Sequence, residues 1–194
     1  EIADRNLYSA KRHGRDRVGV FEKEKMGLNI PTQEMIGRDE ELIRIKGFIQ
    51  SIFDGCGGAI TISGEIGVGK TRLLHEVIKD SDYQNMRFLN SNLSATTKSI
   101  PYYPFREIIR AVIKKQGEES LFEIPQAYQI ELVKIVPELS GKSKIDEQIF
   151  MVDKFRLFEG VRRFLALQAS KAPLFVCLDN IHWADDSSLE LFHY

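Results

Sequence analysis

Residues 64–71 have the sequence Gly64-Glu65-Ile66-Gly67-Val68-Gly69-Lys70-Thr71. They match the pattern G-x-x-x-x-G-K-[ST] at every position. Upstream, residues 58–63 are short and rich in β-branched side chains, which predicts a buried parallel strand. Downstream, residues 71–78 carry apolar side chains at helical spacing. A strand, a glycine loop and a helix start in this order predict a phosphate-binding loop.

The residue types of this loop suit the binding of a nucleotide. Backbone N–H groups of a loop converge on phosphate oxygens, and glycines permit torsions and close approaches that a Cβ would obstruct. The helix that follows adds free N–H groups and the positive end of its dipole. Lys70 is predicted to reach the β- and γ-phosphates, and the Thr71 hydroxyl to bind Mg²⁺. The predicted ATP contacts in this segment are Gly64, Glu65, Ile66, Gly67, Val68, Gly69, Lys70, Thr71 and Arg72.

A second part of the predicted site follows another apolar run. Residues 173–178 are apolar and end at Asp179, which is typical of a buried parallel strand. A carboxylate at the C-terminal end of such a strand lies on the ligand-binding edge of an α/β sheet. Asp179 is therefore predicted to hold, together with Thr71, the Mg²⁺ that bridges the phosphates of ATP.

Composition limits the classes of function. The chain has 27 Lys and Arg residues against 28 Asp and Glu residues, a near-neutral balance that makes a nucleic-acid partner unlikely. Cys56 and Cys177 are far apart, which favours reduced thiols in a cytoplasmic protein. No apolar stretch approaches the roughly 20 residues of a membrane span, and a signal peptide is not recognisable.

The chain divides into three predicted parts. Residues 1–21 have the pattern of a helix and a short strand, residues 22–34 are a mixed-charge linker, and residues 35–194 form the nucleotide-binding domain. Both ends interrupt helical patterns, so we expect a fragment of a longer protein. Apolar spacing in the third part predicts a strand at 86–90 and helices at 39–49, 104–114, 132–136 and 147–170.

Residues 35–194 resemble the origin-recognition-like AAA ATPase domain, a module of bacterial signal-transduction ATPases with numerous domains (STAND). The resemblance rests on ordered motifs at residues 36–40, 64–71, 101–105, 157–161 and 178–191. It implies an α/β fold: a three-layer αβα P-loop NTPase with a parallel sheet. In this family a strand after Asp179 in sequence lies between the phosphate-loop strand and the Asp179 strand. The sheet is therefore expected to be incomplete at the C-terminus, and prone to aggregation if this segment is expressed alone.

The same resemblance implies roles for Arg38 and Asn180. The Gly-Arg motif of the family lies near the nucleotide, so Arg38 is a candidate ATP contact; the alternative is a solvated residue at a helix start. Family members usually carry a second acid after the metal-binding Asp, where this chain has Asn180. An amide can orient water but cannot accept its proton as a carboxylate does, which implies slow hydrolysis. The catalytic candidates are Lys70, Asp179 and Asn180, whereas His182 and Trp183 are interpreted as structural.

The N-terminal segment carries another resemblance. Residues 3–18 are similar to the closing helix and strand of a GGDEF diguanylate cyclase domain. The family uses the positions of Lys11 and Arg15 to contact the substrate triphosphate. The alternative is that these cations complement the dipole at a helix C-terminus. The GGDEF loop and its metal-binding acids are absent from the sequence, so this piece is not expected to catalyse a reaction by itself.

Together, the motifs and resemblances predict an ATP·Mg²⁺-binding module of a bacterial signalling protein, with a GGDEF cyclase joined to a STAND-type AAA ATPase. Slow ATP hydrolysis would serve as a switch, and homo-oligomerisation could accompany activation. One alternative, favoured by Asn180, is a nucleotide-stabilised scaffold that hardly hydrolyses. Another is a DNA-loading ATPase, against which the near-neutral charge counts. The sequence does not indicate which proteins are its partners.

Overall fold

The computed structural model describes residues 37–78, 85–140 and 152–194. Its helices alternate irregularly with two strands. In chain order the elements are α1 (Asp39–Phe53), α2 (Lys70–Ile78), β1 (Arg87–Asn92), α3 (Tyr103–Gln116), α4 (Glu119–Phe122), α5 (Gln126–Ile135), α6 (Lys154–Lys171), β2 (Leu174–Asp179) and α7 (Asp186–His193). Short 3₁₀ turns cover Pro137–Ser140 and Ile181–Trp183. Helices combined with parallel strands confirm the α/β prediction.

Strands β1 and β2 pair in parallel. The register runs from Arg87 opposite Leu174 to Asn92 opposite Asp179. The carboxyl ends of both strands therefore meet at the same edge of the sheet. Because side chains alternate along a strand, Phe88 packs on one face, with its ring centroid 5.6 Å from that of Phe175, while its neighbours point to the other face.

Helices cover both faces of this sheet. On one face, α1 and α2 form a small apolar core with Phe88 and Phe175. On the other face, α3, α5 and α6 surround a larger core. Its fully buried apolar side chains include Phe164, Ile108, Ile109, Leu132, Leu157, Val136 and Val161. The small core holds α2, the helix that follows the glycine loop, against the strands.

Gly160 allows α6 to lie close to α5. A Cβ at this position would lie 3.3 Å from the backbone oxygen of Tyr128 and 3.5 Å from a side-chain carbon of Leu132. These distances leave little room for a methyl group, so the close approach of the two helices depends on glycine.

The prediction of a buried strand at residues 58–63 is wrong for this structure. Within the described residues the sheet contains only β1 and β2, and residues 58–63 lie outside it, form no regular element and are mostly exposed. Ile60, for example, is 38% exposed. A strand forms only beside a partner, and the partner expected from the family follows Asp179 in sequence. In this structure the residues after Asp179 form a 3₁₀ turn and α7.

Two predicted helices have different limits in the structure. The helix predicted at 147–170 begins at Lys154, because the Asp153 side chain accepts a hydrogen bond of 3.1 Å from the N–H of Arg156 and caps it. Residues 141–151 lie outside the described residues. The helix predicted at 132–136 starts earlier, at Gln126, directly after Pro125. It ends before Pro137, as the proline predicts.

Residues 1–36 also lie outside the described residues. They contain the predicted GGDEF tail at 1–21, with Lys11 and Arg15, and the linker at 22–34. In the described part of the chain, no helix combines the length and the hydropathy needed to cross a membrane.

The two thiols differ in environment, and this yields a labelling prediction. Cys56 is exposed, whereas burial, reinforced by the Asp179 carboxylate, raises the pKa of the half-buried Cys177 thiol to about 11. A raised pKa keeps the thiol protonated, so about 0.1% of Cys177 should be thiolate at pH 8. Iodoacetamide at pH 8 should therefore label Cys56 first, with Cys177 labelling rising toward pH 11. Peptide mass spectrometry measures both, and equal labelling of the folded protein would contradict the prediction; in urea both thiols should react.

Candidate nucleotide-binding site

The glycine loop leads directly into α2. Gly67 and Gly69 have φ values of 83° and 94°, a region that L-residues with side chains rarely adopt. α2 begins at Lys70, and the N–H of Leu73 donates to the carbonyl of Gly69 at 2.8 Å, so the helix is regular from its first turn. The backbone conformation thus explains the glycines at 67 and 69 before any ligand is considered.

The Lys70 side chain folds back over this loop. Its Nζ donates to the backbone oxygens of Gly64 at 2.9 Å and Glu65 at 2.8 Å. The ammonium group is therefore held at the loop by neutral carbonyl groups. Glu65, Ile66 and Val68 are exposed along the same loop.

Thr71 connects the loop to the strand-end carboxylate. Its hydroxyl donates to Oδ2 of Asp179 at 3.3 Å, although 108 residues separate the two in sequence. Thr71 is exposed and Asp179 is half-buried. Hydroxyl and carboxylate oxygens are hard ligands that suit Mg²⁺, which keeps several waters when it is bound. In residues 37–78, 85–140 and 152–194 no group of three or more His, Cys, Asp and Glu could hold a metal ion.

A pair of amide side chains lies next to this carboxylate. Asn180 has φ 58° and ψ 42°, the left-handed conformation that asparagine tolerates better than most residues. Its backbone N–H donates to Oδ1 of Asp179 at 2.9 Å, and its Nδ2 donates to Oδ1 of Asn92 at 3.0 Å. Asn180 is thus oriented by both strand ends.

Sequence reasoning missed Asn92. The predicted strand stopped at residue 90, whereas β1 continues to Asn92, opposite Asp179. The signal that could have found it is topological, because polar residues that end adjacent parallel strands meet at the same edge of a sheet.

Comparison with known proteins identifies the family. The family model described as the AAA ATPase domain matches residues 34–194. The chain belongs to the AAA ATPase domain family. Membership implies nucleotide binding, usually with Mg²⁺.

One curated relative of this AAA domain is Origin recognition complex subunit 1 of Rattus norvegicus. It is 34% identical over 82 residues, a match that covers 41% of the chain and 9% of the relative. The match thus spans a small fraction of the relative's length. The search of solved structures found no match.

Arg38 lies between α1 and the glycine loop of the AAA domain. Its guanidinium pairs with Glu41 at 2.6 Å and donates to the backbone oxygen of Val68 at 3.4 Å. The bond from Arg38 lowers the pKa of the Glu41 carboxyl. The side chain therefore borders the loop, and its contact with ATP stays a prediction. Arg72, one turn into α2, is half-buried.

The residues after Asn180 form a 3₁₀ turn at the edge of the site. The rings of His182 and Trp183 lie 5.1 Å apart with their planes at 47°. Trp183 is half-buried and His182 exposed. The structural interpretation of both residues stays a prediction.

Proposed function

We propose that the chain is the ATP·Mg²⁺-binding module of a cytoplasmic bacterial signalling protein, a STAND-type ATPase domain at 35–194 preceded by a linker at 22–34 and the end of a GGDEF cyclase at 1–21. The observation that carries the nucleotide site is the hydrogen bond between Thr71 and Asp179, which joins the glycine loop to the strand-end carboxylate. The cyclase and STAND assignments are supported by the motifs of the sequence.

Binding of ATP would exchange the partners of Lys70. In the structure its ammonium is bound by the neutral carbonyls of Gly64 and Glu65. Hydrogen bonds to ionised phosphates are roughly twice as strong as those between neutral groups, so the β- and γ-phosphates should displace the carbonyls. The loop residues 64–69, with Thr71, Arg72 and Arg38, would complete the ATP contacts.

Thr71 and Asp179 are the proposed Mg²⁺ ligands. An ion held by these two residues would supply positive charge against the negative charge that develops on the phosphates. The chain brings both oxygens together. Thr71 lies on α2 and Asp179 on β2, and the Thr71 hydroxyl lies 3.3 Å from the Asp179 carboxylate.

The amide side chain at position 180 supports the proposal that ATP is hydrolysed slowly. The proposed reaction is attack of water on the γ-phosphate, and Asn92 holds the Asn180 amide beside the metal-binding carboxylate. An amide can orient the water but cannot remove its proton. A domain that keeps ATP for long periods can use its presence to bias a conformational or assembly equilibrium, such as homo-oligomerisation. The same residue favours a second candidate, a scaffold that binds ATP without hydrolysing it.

Mutation of Lys70 tests nucleotide binding. ATP·Mg²⁺ at about 100 times its dissociation constant should stabilise the intact protein by about 2.7 kcal/mol, seen as a higher melting temperature. Lys70→Ala should abolish this shift because the phosphates lose their cation. Lys98→Ala is the matched control, since Lys98 is exposed on the loop between β1 and α3, and it should retain the shift. An equal shift in Lys70→Ala, or none in the native protein, would contradict the proposal.

Other assays separate the remaining parts of the proposal. Single-turnover phosphate release distinguishes the switch from the scaffold, and rapid release would reject both. Formation of cyclic di-GMP from GTP by the intact protein tests the cyclase, in which Lys11 and Arg15 are proposed to contact the triphosphate.

A further inference from the structure

Asp185 joins two loops of the domain. Its Oδ1 accepts from the N–H of Ser188 at 3.0 Å, which caps α7, and from the N–H of Tyr102 at 3.4 Å, directly before α3. Its Oδ2 accepts from the hydroxyl of Ser188. One carboxylate therefore links the start of α3 to the start of α7.

Hydrogen bonds restrain the turn that connects Asn180 to Asp185. The N–H of Trp183 donates to the oxygen of Asn180, and that of Ala184 to the oxygen of Ile181, both at 2.9 Å. Ala184 is only 7% exposed, so packing also restrains it. A displacement of Asp185 should thus be transmitted through this 3₁₀ turn to Asn180.

Backbone strain marks the two ends of this link. Among the described residues, Tyr102 and Asn180 are the non-glycine residues with positive φ, 58° in each case. Tyrosine rarely adopts this conformation, because its Cβ crowds a backbone carbonyl oxygen. Strain of this kind persists only where the surroundings impose it. Tyr102 is held by Asp185 and by an edge contact of its ring with Phe158, with centroids 6.2 Å apart.

We propose that Asp185 is a positioning residue that fixes the Asn180 amide beside Asp179 by clamping the intervening turn to the start of α3. This inference rests on the proposed hydrolysis of ATP. Misplacement of a reacting group by about 1 Å can cost about a hundredfold in rate. The hydrogen bonds of Asp185 go to Ser188 and Tyr102 rather than to the glycine loop, so its loss should affect turnover rather than affinity.

Three variants of the intact protein test this positioning role of Asp185. Asp185→Ser keeps an oxygen that can cap Ser188 but is too short to reach Tyr102 as well. Asp185→Asn keeps an acceptor for both N–H groups and a donor for the Ser188 hydroxyl. Asp186→Asn removes a charge from the exposed neighbour and is the control. We expect Asp185→Ser to lower kcat about tenfold and to change the dissociation constant of ATP less than about twofold, whereas the other two variants behave as the native protein.

Several outcomes would contradict the positioning role of Asp185. These are an unchanged kcat in Asp185→Ser, a parallel loss of affinity, or an equal defect in Asp185→Asn. A purely capping role would lower the melting temperature without changing kcat. If the native protein neither binds nor hydrolyses ATP, the proposed function fails. A separate measurement then tests whether Asp185 positions Asn180. The NMR resonance of the Asn180 backbone amide, measured without nucleotide, should shift in Asp185→Ser and not in Asp186→Asn; an unshifted resonance would refute it.

Discussion

Asn180→Asp should accelerate ATP hydrolysis about a hundredfold. The substitution is nearly isosteric, and aspartate also tolerates the left-handed backbone conformation of residue 180. It introduces a carboxylate that can accept the proton of the attacking water, and positioned general bases contribute about 10²–10⁴-fold. The Asn92 amide, which now accepts from Asn180, can turn to donate to the new carboxylate. Single-turnover phosphate release measures the effect.

The control for this prediction is Asn180→Gly. Glycine adopts the same backbone conformation but supplies neither an amide nor a carboxylate. It should hydrolyse ATP no faster than the native protein while still binding it. Equal rates in Asn180→Asp and the native protein, at saturating ATP·Mg²⁺, would show that residue 180 does not face the attacking water.

Phe164→Ala should destabilise the domain by about 3–5 kcal/mol. The Phe164 side chain on α6 is 0% exposed, and its removal leaves a cavity in the larger core in addition to the lost burial. Urea denaturation of the intact protein gives the change in the free energy of unfolding. Phe155→Ala is the matched control, because Phe155 lies on the same helix and is 79% exposed. It should change stability by less than about 0.5 kcal/mol.

Similar losses in Phe164→Ala and Phe155→Ala would contradict this account of the core. They would mean that Phe155 is covered in the intact protein, or that the packing around α6 differs from that described. A loss confined to Phe164→Ala supports the position of α6 against α3 and α5.

Local signals in the sequence predicted the elements that carry the site. The glycine loop, the helix that starts at Lys70 and the strand that ends at Asp179 all depend on residues close together in the chain. Their signals are backbone torsion, apolar periodicity and a carboxylate after an apolar run. The capping carboxylate of α6, Asp153, is equally local, yet the predicted helix began several residues earlier because apolar spacing continued upstream.

Errors arose where a residue depends on a distant partner. The apolar pattern of residues 58–63 is that of a strand, but a strand needs hydrogen-bonding neighbours, and no strand among the described residues pairs with it. Asn92 lies beside Asn180 through the register of two parallel strands. Asp185 contacts Tyr102, 83 residues away in sequence. No spacing rule within the chain predicts such a pair.

The amino-acid order alone thus predicted a glycine loop that leads into a helix, an α/β class and a strand-end carboxylate, because torsional preference and apolar periodicity act over a few residues. Tertiary structure decided which of these groups meet: Thr71 with Asp179, Asn92 with Asn180, and Asp185 with the start of α3. These contacts depend on strand register and on how the helices pack on the sheet. Both are set by burial of apolar surface over the whole domain, which local sequence does not encode.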